Sequence, residues 1–181
     1  MPTISFYKTI MMLLFFACFS ACELERHAKV DRNRFTFKAG NDTKTFFHNI
    51  RSIYYERQTI PNTEVVAYRF KDRPQDSTRL ALYPVIVANW ETYDCLLLLE
   101  ATQEYDSLSI QIKNANRIDT LHLHSKDRNA VLAFSASIYE SILAEDTLVF
   151  LPSKKFVFKT ENEADDFRKV FSDYARLTRI F

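Results

Sequence analysis

The chain has 181 residues, 24 of them basic and 23 acidic, with 47% hydrophobic and 14% aromatic residues. That apolar content excludes a disordered polymer, the near-neutral charge argues against a nucleic-acid binder, and the length suits one domain with a sizeable core. Gly40 is the only glycine, which excludes the multi-glycine phosphate loops and the G-x-S-x-G nucleophile elbow.

Before Glu23 there is no acid, Lys8 supplies a positive start, and an apolar run covers about residues 10–21. A membrane-spanning helix needs about 20 apolar residues, so this run is short for a span. An ordinary secretory cleavage site requires small residues one and three positions before the cut. Cleavage after Ala21 places Phe19 at the second of these positions, and cleavage after Ala17 places Phe15 there. The four residues Phe19-Ser20-Ala21-Cys22 instead resemble the lipobox of bacterial lipoproteins: an apolar residue, two small ones, then cysteine. Phe19 stands where leucine is more usual. The resemblance covers those four residues and the leader before them. It implies cleavage before Cys22, a diacylglycerol on its thiol and acylation of the new amine. Each buried CH₂ contributes about 0.8 kcal/mol and a single chain anchors only marginally, so several chains on Cys22 would hold the protein durably. Glu23, where the Gram-negative sorting pattern uses aspartate for inner-membrane retention, implies the outer membrane. Read without the resemblance, the same segment also fits an uncleaved anchor or an apolar first helix.

The expected organisation is a signal peptide at 1–21, a charged tether at 22–34 and a single α+β domain at 35–181. The tether could reach roughly 40 Å. Residues 35–38 read as a short strand, and residues 39–42 as a turn. Phe46, Phe47, Ile50, Ile53 and Tyr54 then follow helical spacing, with Asn41 or Asp42 as the cap, His48 beside the face and Pro61 as the break. Residues 63–71 alternate as a strand, 72–77 form a loop and 80–88 a second strand. Pro84 cannot donate to a ladder, which predicts an edge or a bulge there. Trp90 is expected in the core or at its rim. Residues 93–101 hold Leu96 to Leu99, and apolar residues on both faces predict a central strand covered on two sides, with a buried helix as the alternative that the pattern also fits.

Leu108, Ile110 and Ile112 alternate, and after a turn at 114–116 a partner strand returns over 117–124. Residues 127–143 show helical spacing through Val131, Phe134, Ile138 and Ile142, with Ser125 or Asp127 as cap. A strand at 147–151 and a partner at 156–158 precede Thr160-x-x-Glu163, a capping box. That box opens a last helix carrying Phe167, Val170, Phe171, Tyr174 and Leu177. The strand–turn–strand–helix order occurs twice, which is also the generic appearance of hairpins that feed amphipathic helices. The fold expected is a mainly antiparallel β-sheet of six to eight strands with about three amphipathic helices packed against it.

Chemistry is sparse. His122 and His124 project from one face of a strand, a spacing that can chelate a metal when a third ligand arrives from elsewhere. With Cys18 in the leader and Cys22 lipidated, Cys95 is the one remaining thiol, so no intramolecular disulfide forms. Cys95 beside four leucines reads as a buried, inert residue rather than a nucleophile. Glu100, Glu104 and Asp106 form an acidic patch without the fixed separation that carboxylate catalysis needs. No H-E-x-x-H, C-x-x-C or EF-hand loop occurs. The sequence therefore points to a lipid-anchored envelope protein with a non-enzymatic binding domain. It needs no cofactor, and its partners would be the membrane and an envelope protein or polymer. The rival readings are a hydrolase or metalloenzyme built on His122 and His124, and an immunity lipoprotein.

Overall fold

A computed structural model of the chain describes residues 29–114, 118–151 and 153–181. Among these residues the fold is α+β, with seven antiparallel strands and three α-helices. The strands divide between two sheets rather than forming one. The first sheet has the order β1-β2-β3-β4, from β1 (Tyr55–Thr59), β2 (Val65–Phe70), β3 (Leu82–Asn89) and β4 (Asp94–Ala101). The second has the order β6-β5-β7, from β5 (Leu108–Lys113), β6 (Ile118–Leu123) and β7 (Thr147–Phe150).

Helix α1 (Asn41–Phe46) precedes β1, α2 (Arg128–Leu143) follows β6, and α3 (Glu161–Thr178) follows β7. Helix α2 packs against both β4 and β6, so it joins the two sheets; α3 covers β3 and lies beside α2. Tyr68, Ile86 and Leu97 from the first sheet, Ile110 from the second, Leu132 and Tyr139 from α2, and Phe171 and Tyr174 from α3 form a continuous buried core. Among the described residues, every core residue lies between Val30 and Ile180.

Local signals explain the two long helices. Asp127 caps α2 by accepting from the Asn129 and Ala130 amides at 2.9 and 3.1 Å. Thr160 caps α3 by accepting from the Glu163 amide at 3.3 Å. Glu163 reaches back to the Lys159 amide at 2.7 Å, one residue earlier than a standard capping box, and it also pairs with Arg79. Each cap satisfies amides that have no partner inside the helix.

Several expectations are corrected. Residues 35–38 make one β-bridge, Lys38 to Asp94, rather than a strand. The Cys95 amide donates to the Phe37 carbonyl and the Ala39 amide to the Tyr93 carbonyl, both at 2.8 Å, so this segment lies along the free side of β4. Residues 156–158 likewise make a single bridge, Val149 to Phe156. Strand β1 carries no sequence signal because Tyr55 alone is buried along it. Strand β4 ends its sheet rather than lying at the centre. Its Cys95, Leu97 and Leu99 face is buried, but Leu98 on the other face is 38% exposed.

Strand β3 is interior to the sheet. Its pairing with β2 begins at Val85, however, so Pro84 sits just past it and owes no donor to that side. The cap of α1 is Gly40, not Asn41 or Asp42. A Cβ on Gly40 would lie 2.9 Å from Asp42 Oδ1 and 3.1 Å from Arg179 Nε, so a side chain there would displace the paired Asp42 and Arg179 side chains. Residues 30–34, read as the end of the tether, rest on the fold: Val30 is buried, the Asp31 amide donates to the Ile180 carbonyl at 3.0 Å, and Arg32 pairs with Glu140.

Candidate functional site

The residues after α1 depart from the helix expected of them. The chain continues as a π-helical turn, Phe47–Arg51, and then a 3₁₀ turn, Ser52–Tyr54. An i→i+5 turn holds one more residue than an α-turn, so side chains four apart no longer stack on one face. The apolar face expected over this segment is therefore split. Phe47 is buried against Tyr55 and Tyr68, with ring centroids at 5.4 and 5.2 Å. Phe46, Ile50, Ile53 and Tyr54 are turned outward, with exposures of 40, 52, 62 and 45%.

Arg51 accounts for this rotation. Its Nε donates to both oxygens of Asp173, at 2.8 and 3.0 Å, and the Tyr55 hydroxyl donates to Asp173 Oδ2 at 2.6 Å. Asp173 lies on the buried stripe of α3 with Val170 and Tyr174, and its side chain is 2% exposed. A buried carboxylate costs several kcal/mol unless paired and hydrogen-bonded. Burial and the neighbouring Asp173 carboxylate push the Tyr55 hydroxyl well above its ordinary pKa, so it remains a donor. The sequence reading did not find this cluster. Its one local signal is an acid placed three residues after Val170 in an otherwise apolar stripe.

Cations border the outward face. Lys44 Nζ lies 5.6 Å from the Trp90 ring and 5.0 Å from the Tyr93 ring, Arg57 lies over Tyr68, and Lys71 donates to the Ile53 carbonyl at 2.8 Å. Among the described residues none of these three is ion-paired. Three nearby acids are held by other cations: Asp42 pairs with Arg179, Glu56 with Arg73 and Asp173 with Arg51. His48, at 4.8 Å from Trp90, has its pKa lowered by burial and then by Arg57 and Lys44, which places both cations close to it. Trp90 is a rim residue whose indole donates to the Tyr68 hydroxyl at 2.8 Å.

A second feature is an open groove of about 890 Å³ between the end of α2, β7 and the start of α3. Ile142, Leu148, Phe156 and Phe158 supply its apolar floor, and Glu145, Asp146 and Glu161, together with Lys159 and Arg168, a border of mixed charge.

Other candidates from the sequence are placed as follows. Cys22 lies outside the described residues. The His122 and His124 rings stack at 5.4 Å with a 9° angle between planes, and both are exposed. His122 Nδ1 is shared with Ser109 Oγ at 2.9 Å. Among the described residues no group of three His, Cys, Asp or Glu side chains is arranged to hold a metal ion. Cys95 is fully buried, and burial pushes its thiol up to about 12, which leaves no thiolate at neutral pH. Glu100 is committed to Arg69 through a bond of 2.8 Å, while Glu104 and Asp106 line a shallow depression beside Lys126. No described helix is long and apolar enough to cross a membrane. Comparison with family models, with curated proteins and with solved structures returned no match.

Proposed function

We propose that this chain is a lipid-anchored cell-envelope protein, held at the outer membrane through Cys22, whose domain binds an envelope protein or polymer without catalysing a reaction. The observation that carries this reading is the Phe19-Ser20-Ala21-Cys22 sequence after an acid-free apolar leader. Further support comes from the surface available to a partner. The groove beside α3 offers an apolar floor within a border of mixed charge, a chemistry suited to an amphipathic segment that carries charges of both signs. The buried thiol of Cys95 does not compete with Cys22 for modification.

The test is the lipid itself. Cells fed a labelled fatty acid should yield a labelled protein whose mass lacks residues 1–21. Cys22→Ala should abolish the label and retain the leader. An unlabelled wild-type protein that still contains residues 1–21 overturns the reading.

A further inference from the structure

We infer that the outward face of residues 46–54 seats the domain on the acidic phospholipid surface beside its own anchor. The inference rests on the lipid-anchor reading above. Four large apolar side chains, Phe46, Ile50, Ile53 and Tyr54, stand exposed on one short segment. The cations that border them, Lys44, Arg57 and Lys71, have no carboxylate partner among the described residues. An apolar strip with a cationic border is the chemistry of segments that lie in a membrane interface, where the apolar atoms enter the acyl boundary and the cations meet anionic headgroups.

The position of the anchor agrees. The chain enters the fold at Val30 and Asp31, against Ile180 just beyond the end of α3. The same end of α3 holds the start of α1: the Gly40 amide donates to the Leu177 carbonyl at 3.1 Å, and Arg179 pairs with Asp42. Arg176 then lies over the Phe46 ring at 5.1 Å, where the exposed strip begins. The eight residues from Cys22 to Lys29 span at most about 29 Å. The strip from Phe46 to Tyr54 is only about 12 Å long at helical rise. An acylated Cys22 and the strip can therefore rest on one bilayer surface together.

The experiment uses a leader-free chain beginning at Glu23, which contains every core residue among the described residues and carries no acyl group, so its outcome does not depend on the fate of Cys22. It is mixed with phosphatidylcholine vesicles with and without phosphatidylglycerol, and binding is read by flotation. The expected result is binding to the phosphatidylglycerol vesicles that weakens with salt. Ile53→Ser should reduce it about tenfold and Lys44→Gln about fivefold. Ile118→Ser, exposed at the start of β6, should leave it unchanged. The near-UV dichroism of the Tyr68–Trp90 cluster confirms that each variant is folded, and Ile50→Ser replaces any variant that is not. Absence of binding to the acidic vesicles, or binding indifferent to Ile53→Ser and Ile50→Ser, overturns the inference. A solution dimer that Ile53→Asp dissociates also overturns it, because the strip then belongs to a second copy. A bound chain whose wild-type parent is never lipidated would leave this inference standing and remove the anchor.

Discussion

Replacing Asp173 should expose how the segment after α1 is held. Asp173→Ala removes the acceptor for two bonds from Arg51 and one from Tyr55. The Tyr55 hydroxyl is then buried without an acceptor, which costs about 1–3 kcal/mol. Removing one partner of a fully buried ion pair costs about 3–5 kcal/mol. The Arg51 side chain is 23% exposed, so it recovers some hydration. The low end applies, and the expected loss is about 3 kcal/mol, or a Tm lower by about 6–12 °C for a domain of this size. Tyr55→Phe removes a single charge-assisted bond and leaves Arg51 on the carboxylate, at about 1.5 kcal/mol. The double variant should be less destabilised than the two losses together by about 1 kcal/mol, because phenylalanine removes the hydroxyl that Asp173→Ala strands. Urea unfolding followed by the fluorescence of Trp90, the single tryptophan, measures all three. A loss below about 1 kcal/mol for Asp173→Ala, or strict additivity, would refute the claim that this cluster fixes the segment.

Stability should fall steeply in alkali. The Cys95 thiol is raised from 9.0 to about 12 in the fold, so between those values the native state binds more protons than the unfolded chain and stability drops as pH rises. At pH 10 that one group removes about 1.4 kcal/mol, and Tyr55, also raised, adds to the loss above its ordinary value of 10.0. Cys95→Ala should flatten the slope between pH 9 and 10, and an unchanged slope would show that the thiol is not the cause. His122 and His124 lack a third ligand among the described residues, so the protein should leave a zinc solution without stoichiometric metal. One zinc per chain, lost in His122→Ala, would instead favour the metalloenzyme reading.

Elements whose signals are local were legible in the sequence. The alternation of Leu108, Ile110 and Ile112, and the spacing of Phe167, Val170, Phe171, Tyr174 and Leu177, lead directly to β5 and α3. Asp127 and Thr160 mark their helix starts because a cap acts within three residues. What sequence reading missed depends on partners far along the chain. Strand β1 is set by its ladder to β2, not by its own polar side chains. The run from Leu96 to Leu99 reads as covered on both faces, since composition does not say that β4 ends its sheet and leaves Leu98 exposed. For the candidate site, the spacing of His122 and His124 correctly gives a shared face, but a third ligand depends on tertiary placement.

The segment after α1 shows why apolar spacing alone misleads. Phe46, Phe47, Ile50, Ile53 and Tyr54 fit an α-helical face, yet the fold turns Arg51 inward and the isoleucines out. Leaving Ile50 and Ile53 half-exposed forfeits about 1.5 kcal/mol each. Leaving Asp173 buried without a cation costs more, and Tyr55 strengthens the preference by donating to the same carboxylate. The carboxylate therefore outweighs the apolar pattern, from a position 122 residues later in the chain. The resulting conflict is local: the ion pair is kept and the apolar burial is lost. Contact between this strip and a bilayer would restore that burial without breaking the pair, so a feature that looks unfavourable in the isolated domain becomes favourable beside a membrane.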